Sequence, residues 1–288
     1  MRYAFIRTQT DSHSVTALCR ALEVSRSGYN DWLARGGRSR SEDDAALSAR
    51  IRVVHAQSRG TYGSPRVTAA LQGQGEQVNE KRVARVMKEN EIRGRARRKY
   101  RATTDSAHAM PVAKNLLKRR FNPRTANGVW ASDITAIETG EGWLYLAVII
   151  DLCTRQVVGF AQAEHMRAEL VREAFLMAYW RRKPAKGLVF HSDRGSQYCE
   201  RGFRKLLKGL GIKQSMSRKA ICWDNAVSES FFHSLKVEEV YEHRYATRRD
   251  AKAAISSYIL GFFNPLRLHS TLGYQSPNAF ARNLAKAA

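Results

Sequence analysis

The sequence predicts a chain of mixed α+β and α/β class, in which small all-α units precede a mixed-sheet core. Up to about residue 102 the apolar residues recur at helical spacing, without β-rich runs. From residue 129 onward, short β-branched and aromatic runs alternate with helical segments. The chain has 288 residues, more than a typical single domain, which agrees with such a division.

The charge of the chain is its most unusual property. The 49 basic and 26 acidic residues give a net charge of +23, with an isoelectric point near 10.4. The first 126 residues hold 26 of the basic residues and 11 of the acidic ones. Because such a surplus attracts polyanions, the predicted partner is nucleic acid.

Two other features exclude whole classes of protein. Charged residues interrupt the first seven positions, and the longest apolar run, 143–150, is too short for a bilayer, so we expect a cytosolic protein without a secretory signal. The cysteines form no CxxC pair, which argues against a zinc site and a disulfide framework. They are Cys19, Cys153, Cys199 and Cys222.

Residues 15–33 predict two short helices, the second capped by Ser25. This pattern is typical of a helix-turn-helix, and equally of an ordinary αα-hairpin. A flexible linker is predicted at 36–41. The inward-facing residues of the pair would be Leu18, Leu22, Tyr29 and Trp32.

A second helical unit follows, with helices at 42–55, at 65–71 and after the predicted cap Asn79. The run 81–101 contains ten basic and two acidic residues, which favours a phosphate-binding surface over a merely solvated face. Tyr100 is predicted to stack on a base. The predicted DNA-binding residues here are Arg82, Arg85, Arg95, Arg97, Arg98 and Lys99.

The core pattern begins with three β-rich runs, 134–137, 143–150 and 156–161, which predict an antiparallel meander. Asp151 is predicted to cap the turn before Arg155. After the meander, the predicted elements are helix 166–182, strand 188–192, helix 196–208, strand 212–216, a helix after Asn225, and a last helix from a Thr247–Asp250 capping box through Phe262.

Three carboxylates occupy distinctive positions in this pattern. Asp133 stands at the front of one strand-like run, Asp193 closes another, and Glu229 lies on an amphipathic helix. Strand ends expose functional groups at the edge of an α/β sheet, and a helical carboxylate completes an all-oxygen site suited to Mg²⁺. Two such ions about 3.5 to 4 Å apart stabilise the attacking and leaving oxygens of a phosphoryl displacement.

The segments SDITAI, HSDRGSQY and WDNAVSESFFHSLK resemble the DDE transposases of bacterial insertion sequences. More specifically they resemble OrfB-type catalytic chains, relatives of retroviral integrases with a ribonuclease-H-like core. The resemblance continues through EGWLYLAVIIDLCTRQVVGF and FNPLRLHSTLGYQSPNAF, so it covers most of the chain. The 35 residues between Asp193 and Glu229 match the family spacing, and 59 separate Asp133 from Asp193.

The resemblance implies roles for individual residues. Asp133, Asp193 and Glu229 would be catalytic and metal-binding, and Lys236 would bind DNA from the same helix face as Glu229, nearly two turns further on. The segment 217–220 resembles the family's DNA-contacting loop, which nominates Arg218 and Lys219. The metal shell excludes His191, His233 and His269, since Mg²⁺ prefers oxygen, and the roles of Arg267 and His269 in the C-terminal segment stay open.

The implied protein is a DNA transposase that cleaves at terminal inverted repeats and transfers strands, using two Mg²⁺ ions, with Mn²⁺ able to substitute. Its implied partners are double-stranded DNA at transposon ends and target, further copies of itself on DNA, and an OrfA protein or OrfA–OrfB fusion, because the chain has no sustained heptads. No membrane partner is expected. The expected location is the cytoplasm of a bacterium, in association with the nucleoid.

The corresponding domain prediction has five parts. They are a helix-turn-helix-like segment at 1–36, a basic DNA-binding unit at 42–102, a linker at 103–126, a ribonuclease-H-like catalytic core at 127–245 and a helical extension of that core at 246–288. Two other functions remain open at this level: a DNA-binding regulator with a vestigial core, and a metal-dependent nuclease without strand joining.

Overall fold

The computed structural model describes residues 1–37, 39–95, 110–218 and 225–287. The chain divides into two compact units, Met1–Gly94 and Arg95–Ala288. Within the described residues, no helix is both long and apolar enough to cross a membrane.

The first unit opens with three short helices: α1 (Arg2–Thr8), α2 (Val15–Ala21) and α3 (Arg26–Ala34). The predicted α2–α3 pair is confirmed, and the Gly28 amide donates to the capping Ser25 hydroxyl over 3.0 Å. Helix α1 was not predicted, because seven residues with a charge near each end show no clear period. Its Ile6 is fully buried in the cluster formed by Cys19, Tyr29 and Trp32.

The same unit continues with α4 (Arg40–Gln57), α5 (Ser64–Gly73) and α6 (Glu80–Glu89). The predicted linker at 36–41 is wrong at its end, because α4 begins at Arg40. Ser39 and Glu42 form a capping box, with the Glu42 amide donating to Ser39 Oγ over 3.2 Å and the Ser39 amide to Glu42 over 2.7 Å. Asn79 caps α6 as predicted.

The second unit contains a five-stranded mixed sheet in the order β3-β2-β1-β4-β5. Its first three strands pair antiparallel, whereas β4 runs parallel to β1 and β5 runs parallel to β4. The predicted meander and mixed sheet are therefore confirmed. The strands are β1 (Val129–Thr139), β2 (Gly142–Asp151), β3 (Val157–Ala163), β4 (Val189–Ser192) and β5 (Lys213–Met216).

One face of the sheet is covered by α7 (Ala168–Arg182), α8 (Ser196–Cys199) and α9 (Arg201–Gly209). Helix α7 approaches β3 so closely that a Cβ on Gly159 would lie 2.3 Å from the Ala174 carbonyl oxygen. The predicted single helix at 196–208 is divided at Glu200, whose carboxylate accepts from the amides of Gly202 and Phe203 over 2.6 and 2.7 Å and so caps α9.

The remaining helices are α10 (Ala226–Glu238), α11 (Arg248–Ser257) and α12 (Pro277–Ala287). Thr247 caps α11, with the Asp250 amide donating to its hydroxyl over 3.1 Å. The predicted helix through Phe262 becomes a π-helical segment, Tyr258–Phe263, after α11 ends. It is not the last helix, because α12 follows. The sequence analysis did not recognise α12 as a separate helix.

Candidate active site

Two of the predicted carboxylates are brought together by a registered pair of parallel strands, although Asp133 lies within β1, four residues after its start, and not at the front of a strand as predicted, whereas Asp193 directly follows β4. Ser132 of β1 pairs with Ser192 of β4. Asp133 is the residue after Ser132, and Asp193 is the residue after Ser192. Side chains alternate between the faces of a strand, so both carboxylates leave the face that Ser132 and Ser192 occupy. The sheet therefore brings Asp133 and Asp193 to neighbouring positions, as predicted.

Helix α10 carries the third carboxylate to the same region. Val227, in its first turn, packs on a buried cluster of Ala131, Leu117 and Leu152. Ala131 lies two residues before Asp133, so both side chains are on one face of β1. Glu229 follows two residues later on the same helix, and its charge is close enough to Asp133 to raise the pKa of that carboxyl.

The electrostatics of Asp133 reflect this arrangement. Burial raises the pKa of Asp133 well above its ordinary value, and the neighbouring charge of Asp193 raises it further, with a smaller contribution from Glu229. The Ile134 amide, which donates to Asp133 over 2.8 Å, and the Lys236 ammonium lower the same pKa. Burial also raises the pKa of Glu229. Asp193, Glu229 and Lys236 thus all lie within electrostatic reach of Asp133.

Lys236 lies half-buried on α10, nearly two turns beyond Glu229. Burial lowers the pKa of its ammonium, and the Asp133 carboxylate opposes that change. Its charge is therefore directed to the carboxylate site and is not simply solvated.

The donor set suits a hard divalent cation. Among the described residues, no three carboxylate, imidazole or thiol side chains already enclose a metal-sized position. Asp193 instead accepts from the Gly195 amide over 2.9 Å, much as Asp133 accepts from that of Ile134. The donors are all oxygens and their charges repel one another, so Mg²⁺ fits both by ligand type and by relieving that repulsion.

Sequence reasoning missed Tyr198 beside this site. Its hydroxyl shares a 2.9 Å hydrogen bond with Ser132 Oγ, and its ring is buried against Phe190 and Phe203. Burial raises the pKa of Tyr198 well above its ordinary value, with Asp193 and then Asp133 adding to it. The neutral phenol therefore supports β1 through Ser132, on the face opposite the Asp133 side chain. The only sequence signal was an aromatic residue five positions after Asp193.

The second feature that sequence reasoning missed is the hydrogen-bonding role of Arg267. This buried guanidinium donates to both Glu238 carboxylate oxygens at 2.6 to 3.0 Å, and Tyr258 Oη donates to Glu238 over 2.8 Å. Arg95 also donates to the Glu238 main-chain carbonyl. The C-terminal end of α10 is thus tied to the segment after α11, which fixes the helix that carries Glu229.

The histidines have hydrogen-bonding roles in the same unit. Buried His191 on β4 shares a 2.9 Å hydrogen bond through Nδ1 with Ser215 of β5, and its Nε2 is 3.4 Å from Ser217 Oγ. His269 Nδ1 lies 2.9 Å from Thr271 Oγ1.

Asp151 caps its turn as predicted, accepting from the amides of Cys153 and Thr154.

Two of the predicted DNA-binding arginines have intramolecular partners. Arg82 and Arg85 reach Asp44 of α4 at 2.9 and 2.7 Å, and Arg85 also pairs with Glu89. The Arg85 and Arg82 contacts lower the pKa of Asp44 against the opposing effect of its burial. These arginines therefore tie α6 to α4, a role that the sequence did not predict.

The other predicted DNA-binding residues lie in different surroundings. Arg95 belongs to the second unit, where besides Glu238 it lies 3.8 Å from Glu242. Arg218 is exposed just beyond β5. Cys19, Cys153 and Cys199 are free thiols. Outside the described residues lie Arg97, Arg98, Lys99, Tyr100, Lys219 and Cys222.

Comparison with known families agrees with this architecture. Residues 123–222 and 229–283 match two models described as integrase core domain, and residues 41–100 match an HTH-like domain. The mixed sheet and these matches define a ribonuclease-H-like polynucleotidyl transferase of the integrase-core class.

Relatives narrow the class to a family. The chain is 40% identical over 288 residues to the transposase InsF for insertion sequence IS3A of Escherichia coli, covering 99% of this chain and 100% of that one. It is 44% identical over 263 residues to an IS600 31 kDa protein of Shigella sonnei, covering 91% and 97%. The chain belongs to the IS3 family of insertion-sequence transposases, DNA-binding enzymes of transposition and DNA integration.

Two of the solved structures that match are retroviral. An intasome of simian T-cell lymphotropic virus matches with a TM-score of 0.47 and 14% identity, over 74% of this chain and 69% of that chain. The HTLV-2 integrase catalytic core domain, solved with magnesium, matches with a TM-score of 0.42 and 16% identity, over 54% and 95%.

Proposed function

We propose that this transposase binds the terminal inverted repeats of its element and uses Asp133, Asp193 and Glu229 to hold two Mg²⁺ ions, for which Mn²⁺ substitutes. The observation that carries the proposal is the position of Asp133 within β1 next to Asp193, which follows the adjacent parallel strand β4, with the Glu229 helix packed over the Asp133 face. The raised pKa of Asp133 supports it, because a cation would relieve the repulsion behind that shift.

The proposed reaction has two displacements at phosphorus. In cleavage, a water oxygen bonds to the phosphate at the element's end, the bond to the 3′-oxygen breaks, and that oxygen takes a proton. In joining, the freed 3′-oxygen bonds to a target phosphate, and the target 3′-oxygen leaves with a proton. The bound ions supply stabilisation of the attacking and leaving oxygens. The three carboxylates hold them, and the protein positions the DNA.

Lys236 is the proposed contact to the DNA end. Its ammonium lies on the Glu229 helix within reach of the Asp133 charge, where a phosphate oxygen beside the ions would accept a hydrogen bond from it. Joining requires the 3′-end to stay in place after cleavage, whereas hydrolysis does not. Lys236 therefore belongs to strand transfer more than to nicking.

The wider DNA contacts are part of the same proposal. The units at 1–36 and 42–102 hold the DNA, the segment 103–126 links them to the core at 127–245, and 246–288 extends that core. We include as DNA contacts Arg218, Lys219, Arg82, Arg85, Arg95, Arg97, Arg98 and Lys99. We also propose that the chain acts as a homo-oligomer on DNA together with OrfA or as an OrfA–OrfB fusion.

The central test is Asp193→Asn. Loss of one ligand charge should abolish Mg²⁺-dependent cleavage and joining of a labelled repeat end, while DNA binding stays nearly unchanged because the residue is half-exposed at a strand end. Glu138→Gln, an exposed carboxylate on the same strand as Asp133, is the matched control. Undiminished strand transfer by Asp193→Asn would sink the triad assignment.

A second arm separates joining from simple nuclease activity. Lys236→Ala should lower joining of a pre-cleaved end more than it lowers nicking of an unrelated duplex. Both assays are run with OrfA or the fusion supplied. If nicking persists and no joined product forms with the unaltered chain, the nuclease interpretation holds; if DNA is bound but never cut, the regulator interpretation holds.

A further inference from the structure

Helix α9 carries an unassigned row of basic side chains on the surface of the core. Arg201, Arg204, Lys205 and Lys208 occur at i, i+3, i+4 and i+7, so they share one helix face, and all four are exposed. The opposite face buries Phe203 and Leu207 in the core. The helix is therefore held by apolar packing while one whole face displays positive charge.

The neighbouring edge strand adds a fifth cation. Lys213 is the first residue of β5, which is the outer strand of the sheet, and it is exposed beside α9. Together these five residues form the α9 basic stripe. They line an open groove of about 590 Å³ between the helix and the strand, along with Gln214 and the apolar Leu207 and Ile212.

Neutralising partners are lacking within the part of the chain that the structure describes. None of the described residues that line the groove is acidic. The nearest carboxylate along the chain, Glu200, faces the amides of Gly202 and Phe203 at the start of α9. Like charges at i, i+4, such as Arg204 and Lys208, repel one another on a helix. Such a surface gains most from a polyanion that lies along it.

The dimensions and position of the stripe suit duplex DNA. Nine helical residues extend about 14 Å, the axial rise of about four base-pair steps. Helix α9 begins eight residues after Asp193, and the strand that follows it pairs with β4 up to Ser192. The buried Cys199 thiol, whose pKa is raised by burial, is influenced by both Arg204 and Asp193. The stripe therefore lies on the opposite side of the sheet from the Asp133 side chain, next to the outer strand β5.

We propose that the α9 basic stripe is a second DNA-binding site of the catalytic unit, which holds the phosphate backbone of a duplex without reading its sequence. Lysine and arginine on an exposed helix face contact phosphates, which fix register and carry no sequence information. The proposal rests on the proposed function only in that DNA reaches the carboxylates. The duplex is either the transposon end or the target, since both present the same phosphates.

The test uses a pair of matched double variants in the full chain. Arg204→Gln with Lys208→Gln removes two charges from the stripe. Arg249→Gln with Lys252→Gln removes two exposed charges from α11 of the same unit. Both carry Asp193→Asn, so binding is measured without chemistry. Affinity for a repeat-end duplex and for an unrelated duplex is followed by fluorescence anisotropy across a salt series.

The stripe variant should flatten the dependence of log K on log salt by up to about 1.8 and weaken binding by up to about 60-fold at 0.1 M salt. The control variant should leave both values unchanged, and Arg204→Lys with Lys208→Arg should retain them. Loss on the repeat-end duplex alone assigns the transposon end, and loss on the unrelated duplex alone assigns the target. Equal effects of stripe and control variants, or none, would overturn the proposal.

Two further measurements distinguish a loss of DNA binding from a loss of folding or of catalysis. Removing like charges from α9 should leave the melting temperature equal or higher, so a fall in affinity at unchanged melting temperature supports direct contact. A photo-crosslinking amino acid in place of Lys205 should capture DNA, while one in place of Lys252 should not; the reverse result contradicts the proposal. If Asp193→Asn still joins strands, the triad assignment fails while the binding result for the stripe stands.

Discussion

At the scale of single residues, Asp133 combines two opposing requirements. It lies half-buried among charges of its own sign, and the Ile134 amide and Lys236 stabilise its ionised form. The cation site proposed here would therefore be a source of instability when no cation is present. Function and stability of the fold pull in opposite directions at this position.

This conflict leads to a stability prediction for Asp133→Asn. The folded-state pKa of Asp133 is raised, so its contribution to folding is favourable at low pH and is lost as pH rises through the raised value. Without divalent metal, the variant should therefore melt higher than the unaltered chain at pH 8, at about 2 to 4 °C per kcal/mol regained, and the difference should shrink toward pH 5.

The measurement is thermal unfolding by circular dichroism at both pH values. Glu138→Gln serves as the control, because that carboxylate is exposed on the same strand. Added Mg²⁺ should stabilise the unaltered chain more than Asp133→Asn. A variant that melts lower than the unaltered chain at both pH values would show that the Asp133 carboxylate stabilises the fold.

At the scale of elements, the active site depends on how α10 is held at its two ends. Its first turn packs through Val227 on the β1 face, and its last residue is held by Arg267, Tyr258 and Arg95. The triad glutamate lies between these anchors. Segments far apart along the chain thereby fix the helix that carries Glu229, the proposed third metal ligand.

The Arg267–Glu238 pair should consequently matter far more than a surface ion pair. The two side chains are only 5% and 6% exposed. Arg267→Met leaves the Glu238 charge buried without its main partner and should cost about 3 to 5 kcal/mol of unfolding free energy. Adding Glu238→Gln to that variant should restore part of the loss. Chemical denaturation measures each step.

The control for this prediction is Glu164→Gln, which removes an ion pair with Arg248 whose glutamate is 68% exposed. That change should cost at most about 1 kcal/mol. Under conditions where Arg267→Met is folded, strand transfer should fall more than DNA binding, because Glu229 and Lys236 lie on the loosened helix. If Arg267→Met and Glu164→Gln lose the same amount of unfolding free energy, the Arg267–Glu238 pair does not anchor α10.

At the scale of the whole molecule, the surplus of +23 is distributed over several surfaces. Part of this positive charge is paired inside the protein. Arg82 and Arg85 form ion pairs with Asp44, and Arg85 also pairs with Glu89. Other cations on the same helix, such as Lys81 and Lys88, are exposed. The net charge therefore predicts polyanion binding, but not which residues provide it.

Two double variants of α6 test that division. Lys81→Gln with Lys88→Gln should flatten the salt dependence of DNA affinity by up to about 2 and leave thermal stability unchanged. Arg82→Gln with Arg85→Gln should also weaken DNA binding, and in addition should lower the melting temperature because Asp44 loses its partners. Identical melting curves for both variants would contradict the structural role of the arginines.

The sequence by itself determined much about this protein because its signals are local. Alternating β-rich runs gave the meander, Ser25, Asn79 and Thr247 marked helix starts, and the motifs around the three carboxylates indicated the family. Each of these depends on side-chain chemistry within a few residues, which is readable without coordinates. Predictions failed where local signals were weak, as at α1, at the break before α9 and at α12.

Only the tertiary structure decided which polar residues meet. The partnership of Glu238 with Arg267, the brace of Tyr198 on Ser132 and the pairing of Arg82 with Asp44 join residues 29, 66 and 38 positions apart. The nearness of Asp133 and Asp193 likewise follows from the register of β1 with β4. Such contacts are set by strand order and helix packing, and no periodicity in the sequence encodes them.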